Sequence, residues 1–340
     1  MRGALCSIAI TLIASTTLAF DIEQQQLFQG QGDETISILS TTDIGIFRPV
    51  IEAFQEVRPD IGVDYVVAST QEVYRAIYEE GAVFDLAVSS AMDLQMKLAN
   101  DGLAQGHSSA QTEALPDWAR WQDQLFAFAQ EPVVTVVSQA AFEGRQTPAT
   151  RSDLIRQLRD DPETFRGRIG TYDPRKSGAG YLFATQDARQ SDTYWRLSEV
   201  MGGLEPKLYE ASSAMLNAVE SGELAIAYNV LGSYALARLD QKGAATIIEL
   251  EDFTNILLRT ALIPANAENP SGGAAFLDFL LSATGQRVLE ENSGLPRINA
   301  GALAAQSYLR PIRLDTGLLV FVDPLKRQQF LREWSAAVVQ

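Results

Sequence analysis

The chain has 340 residues, 46% of them hydrophobic and 21% charged, and 27 Lys and Arg against 43 Asp and Glu give a formal charge of −16. This is the composition of a folded protein rather than a disordered one, and so acidic a surface argues against nucleic acid and anionic lipid as partners. A small anionic ligand stays open, because clustered N–H donors act at short range while surface charge is screened within about 8 Å.

The chain begins MRGALCSIAITLIASTTLA, with Arg2 ahead of an apolar run over residues 4–14 and small residues leading to Ala19. That pattern predicts a signal peptide over residues 1–19, cleaved after Ala19, and a periplasmic mature protein. The run is shorter than the roughly 20 residues of a spanning helix. Cys6, the single cysteine, lies inside the run rather than after it, so neither lipid attachment nor a disulfide is expected. Stability must come from a large core, which at this length normally divides into two domains.

Residues 20–34, rich in Gln and Gly, read as a flexible leader, with regular structure starting near Thr35. Strands are predicted at 36–39, 63–67, 85–88, 133–137, 168–171, 225–228 and 246–250, alternating with amphipathic helices in the α/β manner. Phe47, Val50, Ile51 and Phe54 share one helical face. Pro49 then places the helix start near Ile46, since proline is tolerated only in a first turn.

One arrangement recurs: a β-run ends, small polar residues follow, and a helix begins. It occurs at Ser40-Thr41-Thr42, at Ser89-Ser90, at Ser177-Gly178-Ala179-Gly180, at Ser212-Ser213, and at Tyr228-Asn229. Ligands of open α/β sheets sit beyond the carboxyl ends of strands, where helix N-termini aim free N–H groups at them. These corners are therefore the candidate ligand-binding residues. The alternative for each is a plain N-cap, worth about 1 kcal/mol. Arg175 and Lys176, directly before Ser177, add positive charge at the third corner, where Ser177 and the N–H groups of Gly178 to Gly180 are expected to receive an oxyanion. Ser40 and Thr41 are the expected donors from the facing side.

Catalytic constellations are missing from the sequence. The one histidine, His107, reads as a solvent-facing loop residue, and no Gly-x-Ser-x-Gly elbow accompanies it. Arg175 stands where a phosphate loop requires glycine before lysine. With one histidine and no cysteine in the mature chain, a zinc site is not expected either. The reading is a binding protein with no enzymatic activity, no cofactor and no metal.

Six segments in this order resemble the extracellular solute-binding family that includes periplasmic ferric-ion, sugar-phosphate and phosphoglycerate-system binding proteins of ABC transporters. They are ILSTTDIGIFRPVIEAFQEVRPDIGVDYV, FDLAVSS, LFAFAQEPVVTVVSQAAF, TYDPRKSGAG, VESGELAIAYNVLGSYA and GGAAFLDFLLSATGQRVLEENSGLPRI. The resemblance implies a type II periplasmic binding fold, two α/β lobes joined by two hinge crossings and closing on a ligand between them. The crossings would fall near 131–137 and 247–257, giving a first lobe of 35–132 plus 254–340 and a second of 133–253. It implies a monomer that serves an ABC permease in the inner membrane or, alternatively, a periplasmic sensor kinase. Ferric-binding relatives carry adjacent tyrosines after a strand like AIAYN. Here Tyr228 and Tyr234 stand six residues apart, roughly 240° around a helix. An anionic ligand, a phosphorylated sugar or an organic acid, is therefore expected ahead of ferric ion.

Overall fold

A computed structural model describes residues 20–239, 243 and 245–340; the predicted signal peptide lies outside them. Strands Glu34–Ser40, Ile61–Val67 and Leu86–Ser89 are short, rich in Val, Ile and Leu, and buried, as parallel strands covered on both faces must be. They pair in parallel, with Ile38 opposite both Tyr65 and Leu86. The connecting helix Ile44–Val57 buries Phe47, Val50, Ile51 and Phe54. It begins two residues earlier than its proline suggests, so Pro49 falls in the second turn. Burial of that apolar face, at about 1.5–3 kcal/mol per large side chain, outweighs the roughly 3 kcal/mol an internal proline costs.

The Gln-rich segment is not a loose leader. Gln24–Phe28 forms an edge strand antiparallel to Ile61–Val67, with Gln25 opposite Val66. Only Phe28 is buried, so polar side chains on an edge strand gave no periodic signal.

Two long strands join the halves of the molecule. Leu125–Ser138 and Thr254–Pro264 run antiparallel, Phe126 opposite Ala261 and Pro132 opposite Ile256. Beyond Pro132, residues 133–138 pair instead with Ile226–Leu231 and Ala245–Ile248. Ile169–Tyr172 and Lys207–Tyr209 extend this second sheet. The result is the expected mixed α/β, two-lobed fold.

The last helix, Pro324–Val338, buries Phe330 and Trp334 in one cluster with Tyr181, Tyr194 and Leu197. It lies so close to Gly202 that a Cβ there would stand 2.0 Å from the Ala337 carbonyl oxygen. We propose that the first lobe is 24–132 plus 254–323, the edge strand included, and that this helix joins residues 133–253 in the second. Its amphipathic pattern says that it packs, not on which lobe.

Candidate ligand-binding cleft

Strand Glu34–Ser40 delivers the first corner to the gap between the lobes. The Ser40 hydroxyl accepts the Thr42 N–H at 3.0 Å and the Tyr65 O–H at 2.7 Å, and Tyr65 also reaches the Thr42 carbonyl at 2.9 Å. This fixes Thr42, whose Oγ1 accepts from Arg259 Nη1 at 2.7 Å. Arg259 Nε donates to Glu131 Oε1 at 2.5 Å. Glu131 Oε2 in turn accepts the N–H and hydroxyl of Ser233. A buried chain of four groups thus runs from the first lobe, through both crossing strands, into the second.

Arg259 and Glu131 are each 1% exposed. Burial works against the Arg259 charge, and Glu131, Tyr234 and Tyr65 together more than restore it. Arg259 Nη2, fully buried, has no hydrogen-bond partner among the described residues. Its guanidinium lies 5.7 Å over the Tyr234 ring. Burial pushes the Tyr65 and Tyr172 phenols well above their ordinary range and Tyr234 up to about 12, with Arg259 pulling each back.

The other corners are tied locally. Thr41 Oγ1 accepts the Ser90 N–H at 3.2 Å, and the Ser89 hydroxyl accepts the Ala91 N–H at 3.1 Å. The Ser212 hydroxyl lies 2.7 Å from the Tyr172 hydroxyl and accepts the Leu231 N–H at 2.9 Å. Ser177 caps helix Gly178–Gln190 by accepting the Gly180 N–H at 3.2 Å. The Gly178 and Ala179 N–H groups point across the cleft to Thr70 Oγ1, at 2.9 and 3.4 Å. The helix end expected to hold an oxyanion therefore holds a hydroxyl of the facing lobe. Arg175 is half-exposed and forks onto Asp173 at 2.8 and 2.7 Å, while Lys176 pairs with Glu210 at 3.1 Å. Both border a cavity of about 340 Å³ at the cleft edge.

Tyr228 and Asn229 stand apart from this cleft chemistry. Tyr228 donates to Asp187 at 2.6 Å and accepts from Arg151 at 2.8 Å; Asn229 and Asn255 donate to the same carboxylate at 2.9 and 2.7 Å. Asn229 has φ +63 at a bulge, a conformation asparagine tolerates. Their polar groups are spent inside the second lobe. His107 is not solvent-facing: its Nε2 lies 2.9 Å from Asp278 Oδ1 and its side chain is 18% exposed.

The structure thus brings Ser40, Thr42 and Ser212 to the centre, together with Glu131, Arg259, Ser233, Tyr65, Tyr172 and Thr70, which the corner pattern passed over. A signal existed for two of them: a charged residue inside each apolar strand, FAFAQEPVV and TNILLRTALIP, marks a buried pair. Ser177→Ala is expected to lose about 1 kcal/mol of stability in urea unfolding, with ligand affinity unchanged. A tenfold rise in Kd would instead put this hydroxyl on the ligand.

Among the described residues no helix is long and apolar enough to cross a membrane, and no group of three or more His, Cys, Asp and Glu is disposed to hold a metal ion. Residues 38–293 match the family model of bacterial extracellular solute-binding proteins. The substrate-binding protein of an ABC transporter from Agrobacterium tumefaciens is 34% identical, with a TM-score of 0.89 over 93% of this chain and 98% of that one. At the level of fold alone, the chain also matches the periplasmic binding protein AfuA of Actinobacillus pleuropneumoniae, solved with fructose-6-phosphate (15% identity, TM-score 0.71, 90% of this chain and 99% of that one). Iron-bound HitA of Pseudomonas aeruginosa is similar (16% identity, TM-score 0.70, 89% and 99%). No curated protein sequence matches. A family match over three quarters of the chain, joined to a fold that agrees throughout, makes this chain a member of the bacterial extracellular solute-binding proteins, a binding component of an ABC transporter and not an enzyme.

Proposed function

We propose that the protein is exported by cleavage after Ala19, closes its lobes on a small hydroxyl-bearing organic acid with a single carboxylate, and delivers it to an inner-membrane permease. The observation that carries this reading is the unpartnered Nη2 of Arg259 at the centre of the cleft. A buried, charged N–H without an acceptor is costly, and a planar guanidinium favours a carboxylate or phosphate oxygen. The charge balance favours the carboxylate. Arg175 and Lys176 are matched by Asp173 and Glu210, and Glu131 offsets Arg259, so little positive surplus remains for a dianion. The hydroxyls of Ser40, Thr42 and Ser212 suit ligand hydroxyls.

A ligand that binds only the folded state adds about 2.7 kcal/mol at a hundredfold excess over Kd. A thermal-shift screen of hydroxy acids, phosphorylated sugars and ferric salts is expected to return hydroxy acids. A shift confined to sugar phosphates overturns the single-carboxylate assignment. A shift confined to ferric ion overturns the organic anion altogether and returns the phenols of Tyr65, Tyr172 and Tyr234 as metal ligands.

A further inference from the structure

A second cavity, of about 500 Å³, lies outside the central cleft, between helices Thr70–Tyr78 and Met92–Asn100, Tyr181, and the segment 322–327. Its volume is that of a small-molecule site. Three aromatic residues line it: Tyr74 and Tyr78, stacked on each other at 4.9 Å and 15° with Lys97 Nζ 5.1 Å over the Tyr78 ring, and Tyr181, fixed by its hydroxyl on the Phe321 carbonyl at 2.6 Å. Between them lies Asp93, 2% exposed, whose Oδ1 accepts the Leu94 N–H at 3.0 Å. No cation among the described residues pairs with it.

The charges around this cavity are not balanced. Arg75 is shared by Glu72 and Glu80, and Lys97 is held by Asp101. Asp93 and Glu79 are left facing one further cation, Arg327, which lies 4.7 Å over the Tyr181 ring. Five carboxylates thus meet four cations, the fourth being the α-ammonium that cleavage after Ala19 leaves on Phe20, whose nitrogen lies 3.0 Å from Glu80 Oε2, beside three aromatic rings. Ring faces and a desolvated carboxylate are the groups that hold an ammonium. Arg327 already shows a cation seated on one of the rings.

We propose that this cavity is a second binding site, for a small organic cation, with Asp93 as its counter-ion and Tyr74 and Tyr78 as its apolar wall. The proposal is independent of what the central cleft binds.

Burial raises the Asp93 carboxyl to about 7, with Arg327 the cation acting against the rise. Only the ionised form attracts a cation, so binding strengthens as pH rises through 7 and weakens below it. The other charged groups around the cavity are Glu72, Glu79, Glu80, Asp101, Arg75, Lys97 and Arg327, with the α-amino group of Phe20 on Glu80 once Ala19 is removed.

Calorimetry on the mature protein with n-butylammonium, n-butanol and butyrate tests this. Saturable binding of n-butylammonium is expected, with n-butanol and butyrate weaker. Asp93→Asn should weaken it about tenfold or more and remove the rise in affinity as pH passes through 7. Arg327→Gln, which removes a competing cation, should strengthen it severalfold. Preference for butyrate, a weakening by Arg327→Gln, or no saturable binding of n-butylammonium at millimolar concentration at pH 8 overturns the proposal. Because the Arg327 variant leaves Asp93 in place and predicts a gain, a folding defect cannot mimic support.

Discussion

Arg259→Met is expected to abolish organic-acid binding and to cost the fold about 3–5 kcal/mol, the penalty for stripping one partner from a buried ion pair. The methionine keeps the apolar stem but leaves Glu131, 1% exposed, holding a charge met only by Ser233. Glu131→Gln combined with Arg259→Met removes both charges. It is expected to recover most of the stability while binding stays lost, since only the guanidinium has a donor to spare. Urea unfolding and calorimetry on the single and double variants separate the two effects. Retained affinity in either Arg259 variant would remove this residue from the site and leave it a structural member of the interlobe chain.

Asp187→Ala is expected to be about as damaging to the fold, again some 3–5 kcal/mol, with no change in ligand affinity. Its carboxylate holds Tyr228, Asn229 and Arg151 of the second lobe and Asn255 of the second crossing strand at once, all of them buried. Without it Arg151 retains Asp252, at 3.2 Å, and the Phe253 carbonyl, at 2.7 Å, but Tyr228 and Asn229 lose an acceptor inside the core. A normal melting temperature with a weakened Kd would give the opposite answer and return Tyr228 and Asn229 to the ligand.

Much of the lobe architecture was legible because strands buried on both faces read as short apolar runs; the one at 63–67 is found inside Ile61–Val67 and the one at 225–228 overlaps Ile226–Leu231. The crossing strands were harder. Only the distal part of Leu125–Ser138 was marked, and Thr254–Pro264 was absent from the predicted strands, because Gln130, Glu131 and Arg259 interrupt runs that become strands only when the two charges meet. That pairing spans 128 residues of sequence, so no local pattern records it. Four of the five corners are places where strands give way to helices, Tyr228-Asn229 lying instead inside the strand Ile226–Leu231, but a hydroxyl at such a place serves a cap and a ligand equally well. Ser177 spends its hydroxyl on Gly180, and the freedom of the N–H groups beside it depends on Thr70, which sits on another lobe. A sequence reading has no access to what faces a helix end from across a cleft.

Native mass spectrometry of the protein purified from the periplasm tests the central claim most directly. The account predicts one organic-acid adduct per chain in the wild type, released on acidification, and none in Arg259→Met. A ferric adduct, or an organic adduct that survives in Arg259→Met, would contradict it.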